Sequence, residues 1–173
     1  MCEVVQTIET KNHIAEIIRD DFSYSPREDD CLGTLIALHD RYDISDHSDW
    51  TKEQIEVWSN RKDILCLPVY MYEHSQVALS TMPFSCKWDS GQVGIIFVSH
   101  KDIIKEYGEL NLELATKVLK GEVEEYSEYL NGESFGYIIN HISGDEVDSC
   151  WGFIGYDNIQ EIVNQELNSL EKE

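Results

Sequence analysis

Basic residues are scarce in this 173-residue chain: 13 Lys and Arg stand against 34 Asp and Glu, a formal net charge of -21. So negative a surface repels polyanions, which excludes direct binding to DNA, RNA or an anionic membrane held by charge. The chain also lacks any run approaching the ~18 to 20 apolar residues that span a bilayer. Its start, Met1-Cys2-Glu3-Val4-Val5, has neither the basic flank nor the apolar core of a secretory signal. The expected location is the cytoplasm. No Cys-x-x-Cys pair occurs among the five cysteines, Cys2, Cys31, Cys66, Cys86 and Cys150. Most are expected to be reduced and buried, with Cys66 in an apolar run and Cys150 beside Trp151 acting as small hydrophobes. Absence of Gly-x-Gly-x-x-Gly and of a Walker loop removes support for nucleotide binding, and no cofactor is expected.

An apolar share of 42% with 10% aromatic residues is enough for a real core. There is no repeat, low-complexity tract or linker, so residues 1–173 read as a single α+β domain. Its pattern is a mainly antiparallel sheet of hairpins with three to four helices packed on it. Val4 to Asp20 fits a hairpin turning at Lys11-Asn12, although Ile14, Ile17, Ile18 and Phe22 also fit helical spacing. Leu32 to Leu38 suits a buried strand, and Thr51-Lys52-Glu53-Gln54 is a capping box opening a short helix. Strands are expected at Ile64 to Tyr72, with Pro68 at a bulge or edge, at Gln76 to Thr81 and at Gln92 to Val98. Ser99 to Asp102 opens a helix that stops at Gly108. A longer helix runs from Leu112 to Leu130, with Leu112, Ala115, Leu119, Val123, Tyr126 and Leu130 facing the core. Phe135 to Ile142 and Val147 to Ile154 form the clearest hairpin, and Asp157-Asn158-Ile159-Gln160 starts a last amphipathic helix.

Three constellations could carry function. His74, Cys86 and Asp89 supply the residue types of a thiol nucleophile, its base and an orienting carboxylate, with a structural turn as the plainer alternative. Asp43, Asp46, His47 and Asp49, preceded by His39 and Asp40, gather hard ligands. They lack the calcium-loop pattern and the His-x-x-x-His pair, so a solvated acidic turn is expected and no metal site. The third is charge itself. Residues 121–173 hold 13 acids against one base, Lys172. Duplex DNA presents one negative charge per roughly 1.7 Å of axis, and carboxylates on a helix and an adjoining hairpin can imitate that. The candidate contact residues are Glu122, Glu124, Glu125, Glu128, Asp145, Glu146 and Asp148, extended by Glu161 and Glu166, with Tyr126, Tyr129 or Trp50 as an aromatic anchor. Glu122 falls at the edge of the apolar arc and is expected to be half-buried.

Further stretches stand out together: Ser25-Pro26-Arg27-Glu28 with Leu32-Gly33-Thr34 and His39-Asp40-Arg41-Tyr42; Leu67 to Ser75 with Pro83-Phe84-Ser85-Cys86-Lys87-Trp88-Asp89-Ser90-Gly91-Gln92-Val93-Gly94; and Asp148-Ser149-Cys150-Trp151-Gly152-Phe153. They resemble a family of small proteins encoded by bacteriophages, plasmids and integrative elements, which brings no settled activity with it. Members tend to have a bulky aromatic and Asn around Asp30-Cys31 and a less acidic tract around 38–41, which this chain lacks. Such a setting implies an anti-defence protein. The expectation is therefore an acidic, DNA-mimic-like inhibitor of a host restriction or CRISPR nuclease, acting by stoichiometric protein–protein contact in the host cytoplasm. Two alternatives stand beside it: a cysteine enzyme using Cys86, His74 and Asp89, and a homodimeric scaffold paired through amphipathic helices.

Overall fold

The computed structural model describes residues 3–86 and 88–172; Cys2 and the motif residue Lys87 lie outside the described residues. In chain order the elements are β1 (Val4–Glu9), β2 (His13–Arg19), a single 3-10 turn (Pro26–Glu28), β3 (Thr34–Ala37), α1 (Lys52–Ser59), β4 (Ile64–Glu73), β5 (Val77–Ser80), β6 (Ser90–Ser99), α2 (His100–Tyr107), α3 (Leu112–Leu130), β7 (Ser134–His141), β8 (Glu146–Ile154) and α4 (Tyr156–Leu170). The fold is α+β, and both sheets are antiparallel throughout. The strands divide between two four-stranded sheets, ordered β1-β2-β7-β8 and β3-β6-β4-β5. The chain groups accordingly into two compact units, Met1–Ser25 with Glu128–Glu173, and Pro26–Ser127.

In the first unit an N-terminal and a C-terminal hairpin meet through β2 and β7, from His13 opposite His141 to Arg19 opposite Phe135. This pairing settles the ambiguity of residues 13–22. β2 is paired on both edges, and its burial nearly alternates, with His13, Ala15 and Ile17 buried and Ile14 and Glu16 half-buried. Ile14 and Ile18 share the second face with Glu16, so the apolar residues of the sequence do not alternate although the strand does. Ala15 and Ile17 join Phe135, Tyr137 and Ile139 on the face covered by Ile159, Val163 and Leu167 of α4. The N-cap of α4 is Gly155, at φ 88° and without a side-chain cap, which corrects the expectation that the helix starts at Asp157. At its other end Glu171 is tied down. Its carboxylate accepts from the Thr10 hydroxyl at 2.6 Å, the Asn12 amide groups at 3.2 Å, and lies 2.9 Å from Nδ1 of the buried His13. Those donors, the Thr10 hydroxyl first, stabilise the ionised carboxylate and hold the Glu171 pKa below its ordinary value.

In the second unit, β6 pairs with β3 on one side and β4 on the other. Gly94 permits this. A Cβ there would sit 1.9 Å from the Ile36 carbonyl oxygen, so any side chain would push β3 away. Pro68 lies opposite Ile95 of β6, whereas β5 reaches only Tyr70 to Glu73. Its missing N–H therefore faces no strand, and a register shift follows at Val69/Tyr70, so both expected devices are present. Trp50, Ile55 and Trp58 pack on Ile36, Ile64, Ile95 and Phe97, and the indoles stand 5.2 Å apart, edge to face. Thr51 and Gln54 form the expected capping box of α1. Ser99 caps α2, and Gly108 ends it at φ 79°. α3 buries Ala115, Leu119, Val123 and Tyr126, while Leu112 is exposed at the first turn.

Candidate functional site

The enzyme-like residues lie around the β5–β6 loop. The Cys86 thiol donates to Asp89 at 3.5 Å, the Ser90 hydroxyl bonds the Cys86 carbonyl, and the Glu73 amide donates to the Asp89 carbonyl at 2.9 Å. His74 is exposed in the preceding turn. Among the described residues no hydrogen bond joins its ring to Cys86, so the thiol has a carboxylate acceptor and no imidazole base. Trp88, between Cys86 and Asp89 in sequence, is 95% exposed. The cysteine expectation needs correcting too: Cys31, Cys66 and Cys86 are half-buried and Cys150 is exposed, all four as free thiols. Burial pushes the Cys31 and Cys66 thiols upward, away from the reactive thiolate.

A cluster that pattern reading did not assemble centres on Glu73. Its carboxylate pairs with Arg41, accepts from the Tyr42 hydroxyl at 3.1 Å and lies 3.8 Å from His39 Nε2. The Arg41 amide donates to His39 Nδ1 at 3.3 Å, which turns Nε2 toward Glu73. Tyr42 is held above its ordinary pKa by the bond to Glu73. Beside it, Leu38, His39, Arg41, Tyr42, Ser48 and Lys52 line an open depression of about 780 Å³. With two donors bonded to it and His39 Nε2 close by, Glu73 fastens the 38–43 loop to β4. Both stretches were singled out separately, but only folding brings them together.

Glu122 is turned inward, its side chain 11% exposed, as the helical wheel anticipated. Its oxygens accept from Arg27 Nη1 at 3.0 Å, the Leu32 amide at 2.6 Å and the Gly33 amide at 3.1 Å. Arg27 reaches Asp46 through Nε at 3.0 Å and Nη2 at 2.5 Å, and donates from Nη2 to the Gly33 carbonyl at 2.7 Å. Asp46 further accepts the Leu35 amide at 2.7 Å. Burial alone would lower the Arg27 pKa, but the bonds and charge of Asp46, with Glu122, outweigh it and hold the guanidinium firmly protonated. This network fastens two loops to α3. It accounts for Asp46 without a metal and engages Glu122 within the fold instead of offering it outward. Among the described residues no group of three His, Cys, Asp or Glu side chains is arranged to hold a metal ion.

The remaining acidic residues are placed as follows. Glu124, Glu125 and Glu128 are exposed on α3, and burial, with Asp29 and Glu122 nearby, raises Glu125 above its ordinary pKa. Tyr126 is 7% exposed and faces the core, which withdraws it as an anchor for a partner; Tyr129 is half-buried, and Trp50 is packed in its own unit. In the first unit Asp145, Glu146, Asp157, Glu161 and Glu166 are exposed and Asp148 is half-buried. Their bonded partners are uncharged: Ser143 donates to Asp145 at 2.9 Å, Ser149 to Glu146 at 3.1 Å, Tyr137 to Asp148 at 2.6 Å and Gln165 to Glu161 at 3.0 Å. Burial and the bond to Asp148 push Tyr137 well above its ordinary range. No helix among the described residues is long and apolar enough to cross a membrane. Compared with known proteins, the chain matches no family model, no curated protein and no solved structure.

Proposed function

We propose that this protein acts by binding rather than by catalysis: its acidic surface docks on a basic, nucleic-acid-binding channel of a host defence nuclease, as a DNA mimic encoded by a mobile element. The observation that carries this is the unneutralised charge of the first unit. Residues 128–172 hold nine acids and only Lys172 as a base. Carboxylates of Asp145, Glu146, Asp148 and Glu161 accept from hydroxyl or amide donors, and none of them forms an ion pair among the described residues. Unpaired like charges repel one another in the free protein, and a basic partner relieves that repulsion. Resemblance of the central and C-terminal motifs to the phage and plasmid family supplies the setting.

The test is inhibition of purified restriction and CRISPR nucleases across a salt series. The expected result is tight inhibition at low salt that weakens steeply as salt rises, and weakens again in Asp145→Lys/Glu146→Lys and in Glu124→Lys/Glu125→Lys. Inhibition that ignores both salt and charge reversal would refute mimicry. A cysteine enzyme is less well supported, because Cys86 bonds to Asp89 and not to His74.

A further inference from the structure

We propose that the outer edge of β8 is a docking site for an extended, basic segment of a partner protein, which adds to the first unit's sheet as a fifth strand. This rests on the acidic-binding function above and names its mode of contact. β8 ends the order β1-β2-β7-β8, and its free backbone groups follow from the bonds at the ends of β7. Asp20 donates to the Ser134 carbonyl at 2.8 Å and Ile142 to the Asn12 carbonyl at 2.9 Å, so even-numbered residues of β7 bond toward β2. Odd-numbered ones bond toward β8, consistent with His141 donating to the Asp145 carbonyl and Gly155 to the Glu133 carbonyl, both at 2.8 Å. Tyr137 and Ile139 are the register partners of Cys150 and Asp148, which therefore direct their backbone groups to β7. Ser149 and Trp151, opposite Ile138 and Gly136, turn their N–H and C=O groups outward. Among the described residues no other backbone group reaches them.

Exposed edges are normally blunted by charge and by bulges. Here register shifts at Phe135/Gly136 and Ile139/Asn140 leave Asp148 to Trp151 as the regular stretch. The charge that guards it is of one sign: Asp145, Glu146 and Asp148 lie on or beside β8, and no Lys or Arg occurs from residue 128 to 171. A second copy of this chain, at -21, is repelled from such an edge, whereas a strand carrying Lys or Arg is attracted. Apolar contact is on offer as well. Trp151 and Val147 are each 43% exposed, and the indole lies over Gly136, where a Cβ would come within 2.2 Å of the ring. Asp148, opposite the core residue Ile139, is on the other face from Trp151. An added strand alternating apolar and basic residues thus sets its apolar side chains beside Trp151 and its cations beside Asp148.

The probe is a labelled peptide of four Lys-Val repeats, with a Glu-Val counterpart as control. Titration of the intact protein should show binding of the first and not of the second. Ser149→Pro removes an outward N–H that the fold does not use and, besides it, only the exposed hydroxyl bond to Glu146, so its melting temperature should change little while peptide affinity falls about tenfold or more. In the unaltered protein, saturation with peptide should slow amide exchange at Ser149 and Trp151 by about tenfold or more, a readout that does not depend on the proline variant folding. If Asp145→Lys/Glu146→Lys abolishes binding while Ser149→Pro and the two amides are unaffected, acidic docking survives and strand addition is overturned. Equal binding of the Glu-Val peptide overturns both.

Discussion

Replacing Arg27 by methionine keeps the side-chain volume and removes the cation that stands between two carboxylates. Arg27, Asp46 and Glu122 are 7%, 18% and 11% exposed at the side chain, so little water is at hand to take over the role of the guanidinium. Breaking a buried pair by deleting one partner costs about 3 to 5 kcal/mol, because the remaining charges stay buried and uncompensated. Here two carboxylates are left, together with the Gly33 carbonyl that Arg27 also satisfies. At ~2 to 4 °C per kcal/mol for a chain of this size, the melting temperature should fall by roughly 6 to 20 °C. Urea unfolding followed by tryptophan fluorescence measures the change, since Trp50 and Trp58 report on the same unit. Glu122→Gln retains an acceptor for the Leu32 and Gly33 amides and removes one charge, so it should cost less than Arg27→Met. In the double variant the two losses should fall short of their sum, as expected for residues in one network. A loss below ~1 kcal/mol for Arg27→Met would place the network among ordinary solvated surface pairs and refute the reasoning.

Three other outcomes are expected. Glu171 titrates below its ordinary value of 4.5 in the folded protein, so its bonds to Thr10, His13 and Asn12 stabilise at neutral pH. That contribution is present above the unfolded pKa and is lost as pH falls through the folded one; Glu171→Gln should flatten acid unfolding below about pH 4.5, and an unchanged acid profile would contradict the assignment. Gly94→Ala drives a methyl group into the Ile36 carbonyl and should cost about 3 kcal/mol or more in urea unfolding, unlike Gly91→Ala, where a Cβ meets nothing within 4 Å. Cys86→Ser retains a donor to Asp89 and should leave both stability, within ~0.5 kcal/mol, and nuclease inhibition unchanged; loss of an activity in a folded Cys86→Ser protein would favour the thiol-enzyme alternative.

The helices were legible because their signals are local. Thr51 with Gln54, Ser99 with Gly108, and the three-and-four spacing from Ala115 to Tyr126 each lie within one or two turns of chain. β7 and β8 were legible for the same reason, since a tight turn and period-two alternation need only neighbouring residues. β2 was not: Ile14 and Ile18 sit on its less buried face beside Glu16 while Ala15 and Ile17 face the core, so its apolar residues carry no period that separates strand from helix. Asp157 has the chemistry of a cap, but the turn after β8 needs a positive φ, so Gly155 takes that place. Cys150 reads as core by hydrophobicity, and its exposure, like that of Trp151, follows from the position of β8 at the sheet's edge.

Charge shows the same division. The linear order of residues establishes that basic side chains almost vanish after Lys120, and repulsion between carboxylates follows wherever those residues go. Which of those carboxylates remain available to a partner depends on contacts between segments far apart in the chain. Glu122 and Glu124 are two positions apart on α3, yet the first meets Arg27 and two amides 89 or more residues away while the second is exposed. Likewise, Glu73 meets Arg41 and Tyr42, and Ser149 keeps a free edge, because strand pairing sets which groups are neighbours. Composition acts residue by residue, so it could be read directly; proximity is a property of the folded backbone, and it decided which charges are internal fasteners and which form a surface.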